Sequence, residues 1–309
     1  MNDKIAGKFR GTGIKAGLMY GMAEFYGGGA FVIINTFFLV FLTKALGMPA
    51  ALAGAIPMVG KVWDAITDPI MGNITDRTTS KFGPKRLYIL IGGILSAIAF
   101  ILLWTTIPSR STTALFVYYI VIYCLFSTCF TIIMVPYNGL LPDMVDSYDV
   151  RSKFSSLRMI WSTVGAILAG LIPTLMIKDT LNTSMYLKVA VIFGVLFGIA
   201  AFVTFAGTWE KVKPPVKTRL RDSFSEASSV FKSRSFKIFI GIYLSGQCAM
   251  DFVSGMAIYY VDDVLQGYDK GYLTMLMGVL LSSQLIGMLI FTPIMTRTSK
   301  RTTILIGAP

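Results

Sequence analysis

The sequence predicts an all-α polytopic membrane protein: one six-helix bundle followed by an incomplete second one. Three observations lead there. The chain is 54% hydrophobic and only 14% charged, where a soluble domain carries about a quarter charged residues, and its mean hydropathy is +0.68. Eight apolar segments are each long enough to cross a bilayer. A short motif then recurs six spans later, as a repeat of six-span units requires.

The spans fall at 17–45, 51–74, 87–107, 114–141, 156–177, 187–208, 237–262 and 271–295, and a ninth begins near Thr303. The first 15 residues are polar and basic, and the apolar run after them is too long for a signal peptide. With the N-terminus placed inside, the inner segments hold 21 Lys and Arg and the outer loops only 5. That bias predicts a cytoplasmic N-terminus in a multi-pass cell-membrane protein. It also accounts for the net charge of +12 without nucleic acid as a partner. The 3 cysteines lie in apolar runs without ligand spacing, and histidine is absent. A proton relay would therefore depend on carboxylates.

The repeat sets the domain organisation. Asp68-Pro-Ile-Met71 ends span two and Thr292-Pro-Ile-Met295 ends span eight, each before a Thr/Ser/Lys/Arg loop and a similar restart. This divides the chain into a six-helix unit at 1–208, a basic cytoplasmic linker at 209–236 and a partial second unit at 237–309. Within the linker, Leu220, Phe224, Ala227 and Phe231 have helical spacing among basic residues, as an amphipathic surface helix or a solvated connection would.

Asp64 and Asp68 lie one helical turn apart in span two and share a face. Counted from the expected span end near Asp76, they lie roughly 18 Å and 12 Å deep, in a hydrocarbon core of about 30 Å. Carboxylates at that depth are expensive and mark ion or substrate paths. Two of them repel, so a bridging cation or a shared proton fits. Thr131 in span four could add an oxygen. The second half has Met288 and Thr292 at the matching positions, so the pair is not needed to build the repeat. The competing reading is a structural network in which Lys61 and Arg158 neutralise both acids. Glu24, followed by Gly27-Gly28-Gly29, faces either substrate or a close-packed helix, and Asp251 of span seven has no assigned partner. Asp76, Arg77, Gly83 and Lys85 read either as a charged latch between spans two and three or as a tight turn rich in positive charge.

These residues resemble the glycoside–pentoside–hexuronide:cation symporters, the branch of the major facilitator superfamily that contains the melibiose permease. The likeness is carried by Lys61-Val-Trp-Asp-Ala-Ile-Thr-Asp-Pro-Ile-Met71 and by the loop from Gly72 to Lys85. Further matches are Tyr20-Gly21, Pro136-Tyr137, Leu141-Pro142, Arg151, Arg158 and Ala257-Ile-Tyr-Tyr260. The resemblance implies a major-facilitator fold, alternating access and cation-coupled symport of a sugar, glycoside or uronide, with Na⁺, Li⁺ or H⁺ as coupling ion, no cofactor and no catalysis. It implies a cation site at Asp64, Asp68 and Thr131. Substrate contacts would be Glu24, Arg158, Asn138 and Lys61, and the latch would be Asp76, Arg77 and Lys85. The partners would be a small-molecule sugar or glycoside, a monovalent cation and the lipid bilayer, and the protein would be a monomer. Three positions depart from the melibiose permease. Gly28 replaces the aspartate that grips sugar, Met134 replaces the span-four acid, and Asn138 replaces the stacking tryptophan. The family has twelve spans, so the chain reads as truncated.

Two other functions are compatible with an Asp-x-x-x-Asp pair in a membrane protein. One is a Mg²⁺-dependent transferase acting on a diphosphate. The other is an uncoupled or proton-coupled transporter of a lipid or an organic anion.

Overall fold

The computed structural model describes residues 13–108, 111–210, 233–265 and, in part, 271–290. All regular structure among these residues is helical. Span one consists of α1 (Ile14–Gly21) and α2 (Ala23–Ile33), followed by π-helical turns at Ile34–Phe38 and Phe41–Ala45. Spans two to six are α3 (Ala50–Arg77), α4 (Pro84–Leu102), α5 (Thr112–Met144), α6 (Tyr148–Met176) and α7 (Thr183–Gly207). Span seven is α8 (Arg234–Tyr259), which closes in a π turn at Tyr260–Val264. The expected eighth span is described only in part. The second copy of the repeat motif and residues 211–232 of the linker lie outside the described residues.

Local sequence sets the helix ends. Gly83 takes a φ of +95°, which a side chain would strain, and Pro84 then opens α4 at a position where its missing N–H costs nothing. Ser111 and Asn182 accept backbone N–H groups at the starts of α5 and α7. Among the described residues 6 segments are both long and apolar enough to cross a membrane. The 28-residue α3 has the length, but Lys61, Asp64, Asp68, Asp76 and Arg77 interrupt its apolar run.

Packing within the first unit pairs α2 with α6, α4 with α5 and α7, and α3 with α5. The span-one glycines make the first of these contacts possible. A Cβ on Gly28 would lie 2.6 Å from the Ser162 carbonyl oxygen, and one on Gly165 would lie 2.5 Å from the Phe25 carbonyl. The glycine run therefore allows close backbone approach rather than local unwinding.

At the end away from the basic loops, Phe38, Phe41, Trp104, Tyr119 and Tyr186 form an aromatic cluster. At this same end spans one and seven meet. Asn35 donates to Asp251 at 2.9 Å, and the Thr43 and Tyr259 hydroxyls share a hydrogen bond of 2.5 Å. Both contacts have the same sequence offset, 216 residues, so the two spans run parallel. Lys44 pairs with Asp262 at 2.6 Å and with Asp263 at 2.7 Å. Asn35, Thr43, Lys44, Asp262 and Asp263 all sit on π turns, the local widening that often marks functional positions in helices.

Candidate functional site

The seam between α3 and α5 carries the acidic pair. Ser127 donates its hydroxyl to Asp64, and Thr131 donates to Asp68 at 2.8 Å. Both bonds span 63 residues of sequence. Two parallel helices in fixed register thus match an acid–acid step of four residues to a hydroxyl–hydroxyl step of four. Gly60 sets the approach one turn away, since a Cβ there would run into the Tyr123 ring. Beside the ladder, Trp63 donates its indole N–H to Thr128 at 2.8 Å. Thr67, whose hydroxyl bonds back to the Trp63 carbonyl at 3.1 Å, takes no part.

Burial orients this site. Ser127 and Thr131 are buried, Asp64 is half-buried and Asp68 is exposed. The carboxylates lead from a closed seam toward an open side. Among the described residues no cation pairs with either acid. Lys61 instead places its ammonium over the Phe31 ring, 4.8 Å from the centroid. Lys61 still acts on Asp64 electrostatically, without a hydrogen bond, and two carboxylates against one lysine remain a local excess of negative charge. At about 6 Å and an effective dielectric of about 20 their mutual repulsion is on the order of 3 kcal/mol, less where water screens Asp68.

Arg158 does not neutralise this pair, contrary to the network that sequence reasoning allowed. It reaches Glu24, with Nε donating to Oε1 at 2.6 Å and a second nitrogen on the same oxygen. It also donates to the Asn138 amide oxygen at 2.5 Å and lies over the Tyr137 ring at 4.8 Å. Glu24 is therefore no free substrate-facing carboxylate: it is buried and ion-paired. The group adjoins a cavity of ≈ 360 Å³ that is also lined by Ser155, Met159 and Ser162. Glu24, Asn138 and Arg158 are thus brought together. Lys61 is not among them, and it lines a different cavity with Asn35, Tyr123 and Asp251.

The loop charges also differ from expectation. Lys85 does not hold Asp76. It bonds the Gly139 carbonyl at 2.7 Å and the Asp143 carboxylate. Glu210, at the end of span six, caps the start of α4 by accepting the Lys85 backbone N–H at 3.0 Å. The clamp thus ties spans three, four and six, whereas the expected latch joined spans two and three. Asp76 is exposed at the end of α3 with no partner among the described residues. Burial raises the Glu210 carboxyl above its usual range, although the backbone N–H groups of Lys85 and Arg86 pull it down. A lysine within a turn of a helix start, with acids at remote positions, gave no sequence signal for this clamp. The Ser127/Thr131 pair did have one: two hydroxyls four residues apart in a span of the same direction as the one bearing the two acids.

Comparison with known proteins agrees with this architecture. Residues 19–309 match the family described as MFS/sugar transport protein. An uncharacterized symporter of Synechocystis sp. is 37% identical over 49% of this chain and 29% of its own length. The isoprimeverose transporter of Lactiplantibacillus pentosus is 27% identical over 65% of this chain and 44% of its own. The sodium-dependent lysophosphatidylcholine symporter 1 of Xenopus tropicalis is 28% identical over 44% of this chain and 26% of its own. The matched part is therefore less than half the length of each of these relatives. A chain whose described regular structure is all helical, with paired acids inside one span and a match to the family along nearly its whole length, belongs to the sugar-transport family of the major facilitator superfamily.

Proposed function

We propose that this chain carries the cation site and part of the substrate path of a secondary active transporter that couples Na⁺ or H⁺ entry to uptake of a sugar or glycoside. The observation that carries the reading is the hydroxyl–carboxylate ladder of Asp64, Asp68, Ser127 and Thr131, which has oxygen ligands, excess negative charge and an open side. A small hard cation such as Na⁺ suits such oxygens. Its binding would favour the conformation that binds substrate, in proportion to its differential affinity for the two states. The basic ends of the spans would face the cytoplasm of the cell, with the N-terminus inside. Residues 1–208, 209–236 and 237–309 would be the first bundle, the linker and part of the second bundle of a monomer.

The Glu24–Arg158–Asn138 group would read the substrate. Its charges already cancel, so it offers hydrogen bonds rather than a net field. That favours a neutral glycoside over a uronide or another organic anion. The depth of the acidic pair and the transporter family speak for transport rather than Mg²⁺-dependent transfer. The test is uptake into proteoliposomes under imposed Na⁺, Li⁺ or H⁺ gradients, with glycosides and lysophosphatidylcholine as separate arms. Asp64→Asn and Asp68→Asn are expected to abolish gradient-driven glycoside uptake. Undiminished stimulation in both variants would sink the proposal, and uptake confined to the lysophospholipid arm would replace its substrate class.

A further inference from the structure

We infer that the cavity between spans one, two and seven is a second hydroxyl-reading subsite that takes one saccharide or polyol unit between Asp251 and Lys61; the inference rests on the transport reading above. The cavity measures ≈ 290 Å³ and is lined by Asn35, Phe38, Lys61, Tyr123, Asp251 and Phe252 among others. Counted along their helices, Asn35, Lys61 and Asp251 lie ~15–20 Å below the span ends remote from the basic loops. Charged groups at such depth are retained for a task.

The hydrogen bonds say which task. Asp251 receives Asn35 at 2.9 Å and Gln247 at 3.2 Å, both on Oδ1. Among the described residues its Oδ2 takes no donor. Among the described residues Lys61 has no hydrogen-bond acceptor: its ammonium lies over the face of Phe31 and acts on Asp64 only through space. One acceptor and one donor thus border the same space without meeting. A simple cation there would be opposed by Lys61, and a simple anion by Asp251. A neutral ligand that donates at one end and accepts at the other satisfies both, and adjacent sugar hydroxyls do so. Phe38, Tyr123 and Phe252 supply apolar walls for the C–H face of a ring. The volume lies at the lower end of the ~300–1,000 Å³ typical of ligand pockets, which suits one ring and not an acyl chain. Asn35 lies about eleven residues beyond Glu24 on span one, ~16 Å along the axis, so this is a separate station on the path from the Arg158 group.

The experiment is equilibrium binding to the purified chain in lipid nanodiscs, with the methyl glycosides of glucose, galactose and xylose as probes and then the monodeoxy analogues of the best binder. Asp251→Asn is expected to weaken that binder at least tenfold. It is also expected to erase the penalty for one deoxy position and leave the others intact. Thermal unfolding of the variant checks its fold, and Lys61→Met carries the same test from the donor end if Asp251→Asn does not fold. Binding to the native chain that neither variant changes overturns the inference and leaves the transport reading standing. Full recovery in the Asp251→Asn/Lys61→Met double variant also overturns it, because the two groups would then only balance each other's charge. Absence of glycoside binding to the native chain overturns both readings.

Discussion

Glu24 and the Asp64/Asp68 pair are carboxylates inside one helical unit, yet their surroundings make opposite demands. Glu24 is buried against Arg158, so its charge is matched and nothing further is needed. Asp64 and Asp68 meet hydroxyls, which solvate a carboxylate without cancelling it. The first group is a stable element presenting polar edges; the second is a local excess of negative charge. Residue type and membrane depth are alike in the two regions. The partner across the helix seam makes the difference, and through it one acid becomes scaffold and the others become a candidate ion site.

Stability measurements can break this comparison. Breaking a buried ion pair from one side typically costs 3–5 kcal/mol, so Arg158→Ala should destabilise by about 3 kcal/mol, the lower end, because Arg158 is partly open. Asp64→Asn relieves repulsion and should leave the unfolding midpoint unchanged or raised, even as it removes the cation response. If denaturant or thermal unfolding ranks the two variants the other way, the assignment of scaffold and ion site is inverted.

The next effect concerns Gly28. Restoring an aspartate at this position, as in the melibiose permease, places a Cβ against the Ser162 carbonyl. Overpacking of this kind costs about 1–3 kcal/mol. Gly28→Asp is therefore expected to lower stability and to confer no galactoside recognition, checked by thermal unfolding together with methyl galactoside binding. Gain of galactoside affinity at native stability would refute it.

A smaller effect sharpens the ladder. Ser127→Ala and Thr131→Ala each remove one hydroxyl from a carboxylate, a hydrogen bond to a charged group worth about 1.5–3 kcal/mol. Part of that loss falls on the unliganded state as well, so cation affinity should fall by about tenfold per substitution (about 1.4 kcal/mol). Titration of ²²Na⁺ binding reads this, and Thr67→Ala, on the helix that bears the two acids, serves as the comparison with no expected change.

The smallest effect is the pH dependence of the loop clamp. The Glu210 carboxyl titrates above its usual range when folded, so the folded chain holds that proton more tightly than the unfolded one. The associated stability is present below the unfolded value and is lost as pH rises through the folded one. Glu210→Gln should flatten stability across that window, seen in denaturant midpoints at stepped pH. An unchanged pH slope would remove Glu210 from the account.

Much was already legible in the sequence. Apolar run lengths placed most ends of the described spans to within a few residues, because a bilayer fixes the length of any helix that crosses it. The helix of span five, however, begins at Tyr148, eight residues before the expected 156, because its first two turns are polar and carry no apolar signal. Asp64 and Asp68 stood out because charge at depth is rare, and their shared face followed from helical spacing. Thr131 was named from type and position, and its hydroxyl is found on Asp68. Partner choice was not legible. Arg158 had several acids within conceivable reach, and only the crossing of spans one and five gave it to Glu24. Lys85 was read with Asp76 nearby in sequence, while packing handed it to Asp143, 58 residues away. Asp251 had no sequence partner because the contact with Asn35 bridges 216 residues.

The sequence by itself determined the helices, the membrane and the presence of expensive acids, since each follows from composition and local period. Only the tertiary structure decided which acids are matched and which are left wanting. The energy of a buried charge depends on what lies a few ångströms across the seam, and that neighbour belongs to a span far away along the chain.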